Sequence, residues 1–322
     1  MKRENKSSYS LVSICIPTFN RINFLKEAIQ SAQNQTYQNI EIIISDNSQD
    51  DITRNYIKTV DDKRIRYYKN SKNIGSFANL KKVASLAKGK YIKFLLDDDI
   101  LKPTCVEKML KAFEAHPKIG IVMAPLEIID KNGLISQPKF YIFRKMKYLY
   151  KYRNQDSYIK KEEIMNDFLT TTYPCCVPTG IMFRKSLFDD VGGFDKKYRY
   201  IGDLDLCMNL ATKMDFYYIN EFLASWRYSN TSETISILHK KGIELDIFYT
   251  LTKKYLFFTN LKKEAFFFAS KRTAINIIAG IQSRNLTLIF KTIKTIMNND
   301  PYLSNKIYLP INLFSEAFKS FF

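Results

Sequence analysis

The stretch YIKFLLDDDILKP, residues 91–103, decides how this chain reads. YIKFLL has the length of a buried strand, and at its carboxyl end stand three acids in a row, Asp97, Asp98 and Asp99. Two ionised carboxylates about 4 Å apart repel by roughly 4 kcal/mol at an effective dielectric near 20. Capping of a following helix accounts for one Asp. Three acids directly after an apolar run exceed that need, and a divalent cation with oxygen ligands, Mg2+ or Mn2+, would remove the repulsion. Mg2+ keeps one or two protein carboxylates and draws its other ligands from water and phosphates, so a metal–diphosphate site is the favoured reading.

Outward from this stretch, strand and helix signals alternate. LVSICIP (11–17) and IEIIIS (40–45) are apolar, β-branched runs, and IRYY (65–68) is a third. RINFLKEAIQSAQNQ (21–35) carries Phe24, Leu25, Ala28, Ile29 and Ala32 at helical spacing. NLKKVASLAKG (79–89) places Leu80, Val83, Ala84 and Ala87 on one face, with Gly89 as a stop. Such alternation predicts βαβ units and a mainly parallel sheet, which binds ligands at the carboxyl ends of its strands. The polar residues there are Thr18 to Arg21, Asp46 to Asp51, Asn73 to Ser76 and Asp97 to Asp99. All four clusters fall on one rim.

Beyond the acids, PTCVEKMLKAFEAH reads as a helix, IGIVMAP (119–125) as a strand and LEIIDKNGLIS as a hairpin through Asn132–Gly133. Residues 139–161 are basic and aromatic without a clean period, and read as a long flap. PTGIMFRKSLFDDVGGFD (178–195) and GDLDLCMNLATKM (202–214) return the chain to the rim.

The 322 residues are 46% hydrophobic and 25% charged, which predicts a folded core. Residues 1–10 are polar and expected to be flexible. The apolar stretch after them is too short for a signal sequence, and no run reaches the length of a spanning helix. Five cysteines without metal-binding spacing and only two histidines argue against a zinc site. The cysteines read as reduced and buried, in a cytoplasmic protein.

The net charge of +18 calls for an anionic partner: nucleic acid, a membrane face or a phosphorylated substrate. Residues 230–322 hold thirteen Lys or Arg against six Asp or Glu, with Phe and Tyr interleaved as in KKYLFFTNLKKEAFFF. This is the pattern of amphipathic helices on an anionic surface; packing of the aromatics on the preceding domain is the alternative. No nucleic-acid motif occurs, and an acidic rim repels nucleic-acid phosphates, so no nucleic-acid partner is expected. A sugar-nucleotidyltransferase, the other alternative, needs a Gly-rich phosphate loop near the first strand, and PTFNRINF has no Gly.

The motifs VSICIPTFNR, EIIISDNSQDD, NIGSFANLKKVASLAKGKYIKFLLDDDILKP, PTGIMFRKSLFDDVGGFD and GDLDLCMNLA stand in an order that resembles family 2 glycosyltransferases, from about Val12 to Arg227. The resemblance implies the GT-A fold, an α/β domain with a Rossmann-like mixed sheet, mainly parallel, and helices on both faces. It spans 11–229 here, with a helical appendage at 230–322. It implies an inverting, metal-dependent glycosyltransferase using Mn2+ or Mg2+ and a nucleotide-diphosphate sugar, UDP-linked by expectation. The acceptor is a glycan or lipid-linked glycan, at the inner face of a bacterial cell membrane, in surface polysaccharide synthesis.

Residue by residue, the resemblance gives Asp98 as the metal ligand and Asp97 as the residue near ribose and diphosphate, with Asp97 a second metal candidate. Leu96 stands where many members carry a first Asp. Asp99 either caps the following helix or binds the metal through water. Asp46 reads the base, or else closes an Asx turn. Pro17, Thr18, Asn20 and Arg21 line the nucleotide pocket, Thr18 alternatively closing an ST turn, as do Asn73 and Gly75, which a plain turn also explains. Asp203 is the catalytic base, or else caps the following helix with Asp205, which suits that role; Gly202 stands where many members have Glu. Arg227 either holds the diphosphate or is an ordinary surface ion-pair residue, and Tyr228 replaces a usual histidine.

Overall fold

The computed structural model describes residues 10–136, 155–170, 178–195, 197–198, 201–228, 247–273 and 286–301. Its strands are β1 Val12–Thr18, β2 Ile40–Asp46, β3 Ile65–Lys69, β4 Tyr91–Phe94, β5 Ile100–Leu101, β6 Ile119–Met123, β7 Leu126–Ile129, β8 Ser157–Ile159, β9 Ile181–Arg184, β10 Asp215–Tyr218 and β11 Ala224–Arg227. The described helices are α1 Ile22–Gln33, α2 Ile52–Lys58, α3 Ser76–Ser85, α4 Cys105–Ala115, α5 Lys161–Thr170, α6 Lys185–Asp190, α7 Gly202–Ala211, α8 Ile247–Tyr255, α9 Lys262–Thr273 and α10 Leu286–Asn299.

The chain divides into two compact units. The first comprises Met1–Ile129, Asn154–Ile159 and Cys175–Arg227. Its eight-stranded sheet runs β3-β2-β1-β4-β9-β6-β10-β8. β3, β2, β1 and β4 are parallel, as are β6 and β10, while β9 is antiparallel to β4 and β6. Every residue of β2 is buried, the mark of a strand covered on both faces. A second sheet, β5-β11-β7, pairs β11 parallel with β7 and antiparallel with β5.

β2 carries Glu41 into this core, and the structure satisfies it fully. The Ser13 hydroxyl and the Lys88 amide each donate to Oε1 at 2.6 Å, and Arg66 pairs with Oε2. Burial alone would raise the Glu41 pKa; Ser13, Lys88 and Arg66 more than offset it and hold the group below its ordinary value. A depressed carboxylate contributes stability that is present above its unfolded pKa, about 4.3, and lost as pH falls through the folded value. Glu41→Ala is therefore expected to cost about 3 kcal/mol, the scale of a broken buried pair, in urea denaturation at neutral pH. The deficit should shrink in acid.

The structure corrects two local expectations and extends a third. α3 ends at Ser85, before Gly89; a Cβ at Gly89 would lie 2.7 Å from the Leu11 carbonyl oxygen and the Ser13 nitrogen, so close backbone packing demands the glycine. The Asn132–Gly133 turn exists, with Gly133 at φ 82° and the Leu134 carbonyl accepting from the Asp130 amide at 2.8 Å. Beyond the turn Ile135 is a bridge residue, and β7 pairs in addition with the distant β11. Asp99 does not cap a helix: β5 follows it, and α4 begins at Cys105 behind Thr104.

The second unit comprises Asp130–Arg153, Lys160–Pro174 and Tyr228–Phe322. In it α9 packs against α5, α8 and α10. Tyr249, Leu251, Tyr255, Ala265, Phe266 and Ala269 are buried. α5 thus groups with the C-terminal helices although it precedes residue 230. The TLIF segment, readable as helix or strand, is helical within α10. No helix of the described residues is long and apolar enough to cross a membrane. Cys15, Cys105 and Cys207 are buried. The flap and Cys175–Cys176 lie outside the described residues, apart from the flap's last residues, which include β8.

Candidate active site

β1 pairs with β2 as far as Thr18–Asp46, but its ladder with β4 ends at Cys15–Phe94. Pro17, which lacks an amide proton, sits beyond that last pair. Past it β1 and β4 are joined by side chains. The Thr18 hydroxyl donates to Asp97 Oδ2 at 2.8 Å, and the Phe19 amide reaches the same oxygen at 3.2 Å. Arg21 Nη1 lies 2.6 Å from Asp98 Oδ2 and 3.4 Å from Asp97 Oδ1. Asn20 links them with φ 54°, a left-handed conformation Asn tolerates better than most residues, and its amide donates to Ser48 Oγ at 2.9 Å.

The three aspartates have different environments. Burial and the neighbouring Asp98 push Asp97 up to about 6, against the pull of Arg21 and Thr18. Burial also raises Asp98. Asp99, fully buried, is raised well above its usual value by burial first and by Asp98 second. Its carboxylate is already engaged: the Thr179 hydroxyl donates to Oδ2 and the Arg227 amide to Oδ1 at 3.0 Å. Lys93, fully buried on β4, donates to the Thr179 carbonyl. Asp99 is therefore a bonded corner that ties the acidic turn to β11 and to the Pro178–Gly180 turn.

Arg227 is also placed inside the protein. Its Nε donates to the Asp98 carbonyl at 2.8 Å, its Nη2 pairs with Glu27 of α1 at 2.6 Å, and its guanidinium lies 4.7 Å from the Phe24 ring centre. The expected surface ion pair instead has its arginine buried, with Glu27 as partner. It fixes the backbone of Asp98.

Among the described residues no three His, Cys, Asp or Glu side chains converge as a metal cluster. Asp97 and Asp98 still fit a cation that takes two protein carboxylates and completes its shell with water and phosphate. Asp97 is buried and Asp98 half-buried, both pair with Arg21, and the Arg21 side chain is 38% exposed, which leaves it room to turn to a phosphate.

Asp46, fully buried at the end of β2, accepts the Ser48 amide at 2.7 Å on Oδ1 and the Tyr67 hydroxyl at 2.8 Å on Oδ2. The Asx turn is real, and each oxygen keeps a second acceptor position. Asn73 Oδ1 accepts the Gly75 amide at 2.9 Å. Gly75 has φ 89° with open space where a Cβ would stand, so its backbone conformation, not crowding, requires glycine.

Asp203 lies in the first turn of α7, half-buried, with Oδ1 accepting the Leu204 amide at 2.8 Å. Asp205, fully buried, accepts from Asn209 Nδ2 at 3.3 Å. Gly202 has a physical reason: a Cβ there would lie 3.0 Å from the Phe77 ring, which itself packs 5.4 Å from Phe194. Phe77 fills the space of the side chain that residue 202 lacks. Gly202→Glu is expected to cost about 1–3 kcal/mol through overpacking, and Phe77→Ala in the same chain to recover part of it, in a thermal-denaturation double-mutant cycle.

Sequence reading missed Thr179, Lys93, Glu27, Tyr67 and Phe77. Thr179 lies in the PTG motif, and a Lys within an apolar strand was a visible signal. Glu27, Tyr67 and Phe77 carried none. His116 stacks on Tyr217 at 4.5 Å, apart from the site motifs.

Comparison with known proteins gives the following. The family model for glycosyl transferase family 2 matches residues 13–192. An uncharacterized glycosyltransferase of Methanocaldococcus jannaschii is 31% identical over 246 residues, 75% of this chain and 78% of the relative. A GalNAc(5)-diNAcBac-PP-undecaprenol beta-1,3-glucosyltransferase of Campylobacter jejuni is 30% identical over 212 residues, 64% of this chain and 61% of the relative. Among solved structures, S. aureus TarS residues 1–349 in complex with UDP-GlcNAc matches with a TM-score of 0.57 at 13% identity, covering 97% of this chain and 81% of that one. That likeness is one of fold, the GT-A fold.

Proposed function

This chain belongs to glycosyl transferase family 2 and is a glycosyltransferase, and we propose that it moves a sugar from a UDP-sugar to a hydroxyl of a glycan or lipid-linked glycan, with inversion. The observation that carries this reading is the joining of β1 and β4 through Thr18, Arg21, Asp97 and Asp98 at the carboxyl ends of the strands. Crowded acids that share the Arg21 guanidinium invite a cation there. The relative that acts, by its name, on an undecaprenol-linked glycan supports a lipid-linked acceptor and surface polysaccharide synthesis. The UDP-GlcNAc complex of TarS supports a UDP donor.

In this mechanism Asp46 accepts from the base, while the Pro17–Arg21 and Asn73–Gly75 loops flank the nucleotide. Asp98, with Asp97 beside it, would hold Mn2+ or Mg2+, whose charge offsets that of the departing diphosphate. The acceptor oxygen attacks the anomeric carbon from the face opposite the diphosphate. The bond to the diphosphate oxygen breaks with its electron pair, and Asp203 takes the hydroxyl proton. Arg227 and Glu27 hold the Asp98 backbone; Asp99 and Thr179 brace the same turn. The basic second unit would bring the enzyme to an anionic membrane face, on the cytoplasmic side where nucleotide sugars are available.

A thermal-shift panel of UDP- and GDP-sugars, with and without Mn2+, tests this reading. The expected result is a stabilising shift from one UDP-sugar that grows with Mn2+, followed by detectable donor hydrolysis. A panel without any nucleotide-dependent shift contradicts it.

A further inference from the structure

The turn between α8 and α9 presents apolar side chains to water in an ordered frame. Leu256–Phe258 form a 3-10 turn. Phe257 is 99% exposed, Phe258 47% and Leu261 39%. The frame beneath them is fixed. Tyr255 is buried, its ring 6.5 Å from that of Phe258. The Thr259 hydroxyl, itself buried, donates to Asn166 Oδ1 of α5 at 2.6 Å, and the Leu261 amide donates to Thr259 Oγ1 at 3.0 Å. Exposed lysines flank the tip on both sides, Lys253 and Lys254 before it and Lys262 and Lys263 after it, with Glu264 the one acid between residues 253 and 264.

α10 repeats the combination. Phe290 and Met297, seven residues apart on one helix side, are 69% and 61% exposed, with exposed Lys291 and Lys294 between them in sequence. Lys253 Nζ donates to Asn299 Oδ1 at 2.9 Å, which brings the carboxyl end of α10 to the helix from which the tip springs.

A protein interior or a protein interface could cover the aromatics, but the exposed lysines on either side select an anionic occupant. Rings that enter the acyl boundary while ammonium groups meet lipid phosphates satisfy both features. We propose that the Phe257–Phe258 tip inserts into the headgroup layer of an anionic bilayer, with Lys253, Lys254, Lys262 and Lys263 on the lipid phosphates. This names the contact surface for the membrane association in the proposed function and rests on that association. The site itself stands on exposure and charge.

The test uses the full chain and vesicles of phosphatidylglycerol in phosphatidylcholine, against phosphatidylcholine alone. Wild type is expected to sediment with the anionic vesicles only. Phe257→Ser with Phe258→Ser should weaken partitioning by about tenfold or more, and Lys262→Gln with Lys263→Gln by about fivefold per charge, less at high salt. Phe257→Trp should be quenched by brominated lipid beyond the wild-type blank given by Trp226. Equal binding of wild type and variants, no wild-type binding, or an unquenched Trp at 257 overturns the proposal. So does a concentration-dependent dimer, seen by light scattering, that the Phe variants abolish. Donor hydrolysis measured on the same samples keeps the questions apart: its absence with vesicle binding intact strikes the proposed function and leaves the membrane surface standing.

Discussion

Asp203→Asn is expected to lower kcat by about 10²–10⁴-fold, the range for loss of a positioned general base, with little change in KM for the donor. The substitution is chosen for its geometry. Asp203 Oδ1 accepts the Leu204 amide, and an Asn oxygen can do the same, so the start of α7 survives while the proton acceptor is lost. Asp205→Asn is the control. Asp205 is fully buried and bonded to Asn209 one turn along, so its replacement should lower the melting temperature and leave kcat largely intact. If the two variants exchanged these phenotypes, Asp205 would be the base and Asp203 the cap. Full activity in both would remove α7 from the chemistry.

Asp98→Ala is expected to reduce transfer by at least about a hundredfold, the scale of losing one preorganised electrostatic contact. Two outcomes should accompany it. Mn2+ should no longer enhance donor binding. Stability should rise, by about 1 kcal/mol, because the variant relieves repulsion among buried acids held together for function. The Asp98 carbonyl that Arg227 grips remains in the Ala variant, so the turn keeps its shape. Activity that falls while stability rises separates a working carboxylate from a structural one. A fall in both would put Asp98 with Asp99, as a brace.

The parallel half of the sheet was legible because β1, β2 and β4 are short apolar runs and the helices α1 and α3 set among them have a clear period. IEIIISD could only be a strand buried on both faces, and Asp46 at its end had only the rim to occupy. β9 and β11 were harder. They enter the sheets antiparallel or beside partners about a hundred residues away, and no local pattern encodes that choice. The same limit governs the site. The crowding at Asp97–Asp99 was visible, but not its division of labour, because Thr18, Arg21, Thr179, Arg227 and Lys93 come from β1 and the loop after it, the Pro178–Gly180 turn, β11 and β4. Gly202 read as a missing contact until Phe77, from α3, was seen against it.

If Asp97 and Asp98 form a cation-dependent seat for a nucleoside diphosphate, UDP binding must depend on the cation. Titration calorimetry of UDP into the wild-type chain, with Mn2+ and then with a chelator, tests it most directly. The account predicts binding that tightens at least about tenfold with Mn2+, the scale of one added charge contact, and that this gain disappears in Asp98→Ala. UDP binding of equal strength in the presence of chelator, or a Mn2+ gain that survives Asp98→Ala, would contradict it.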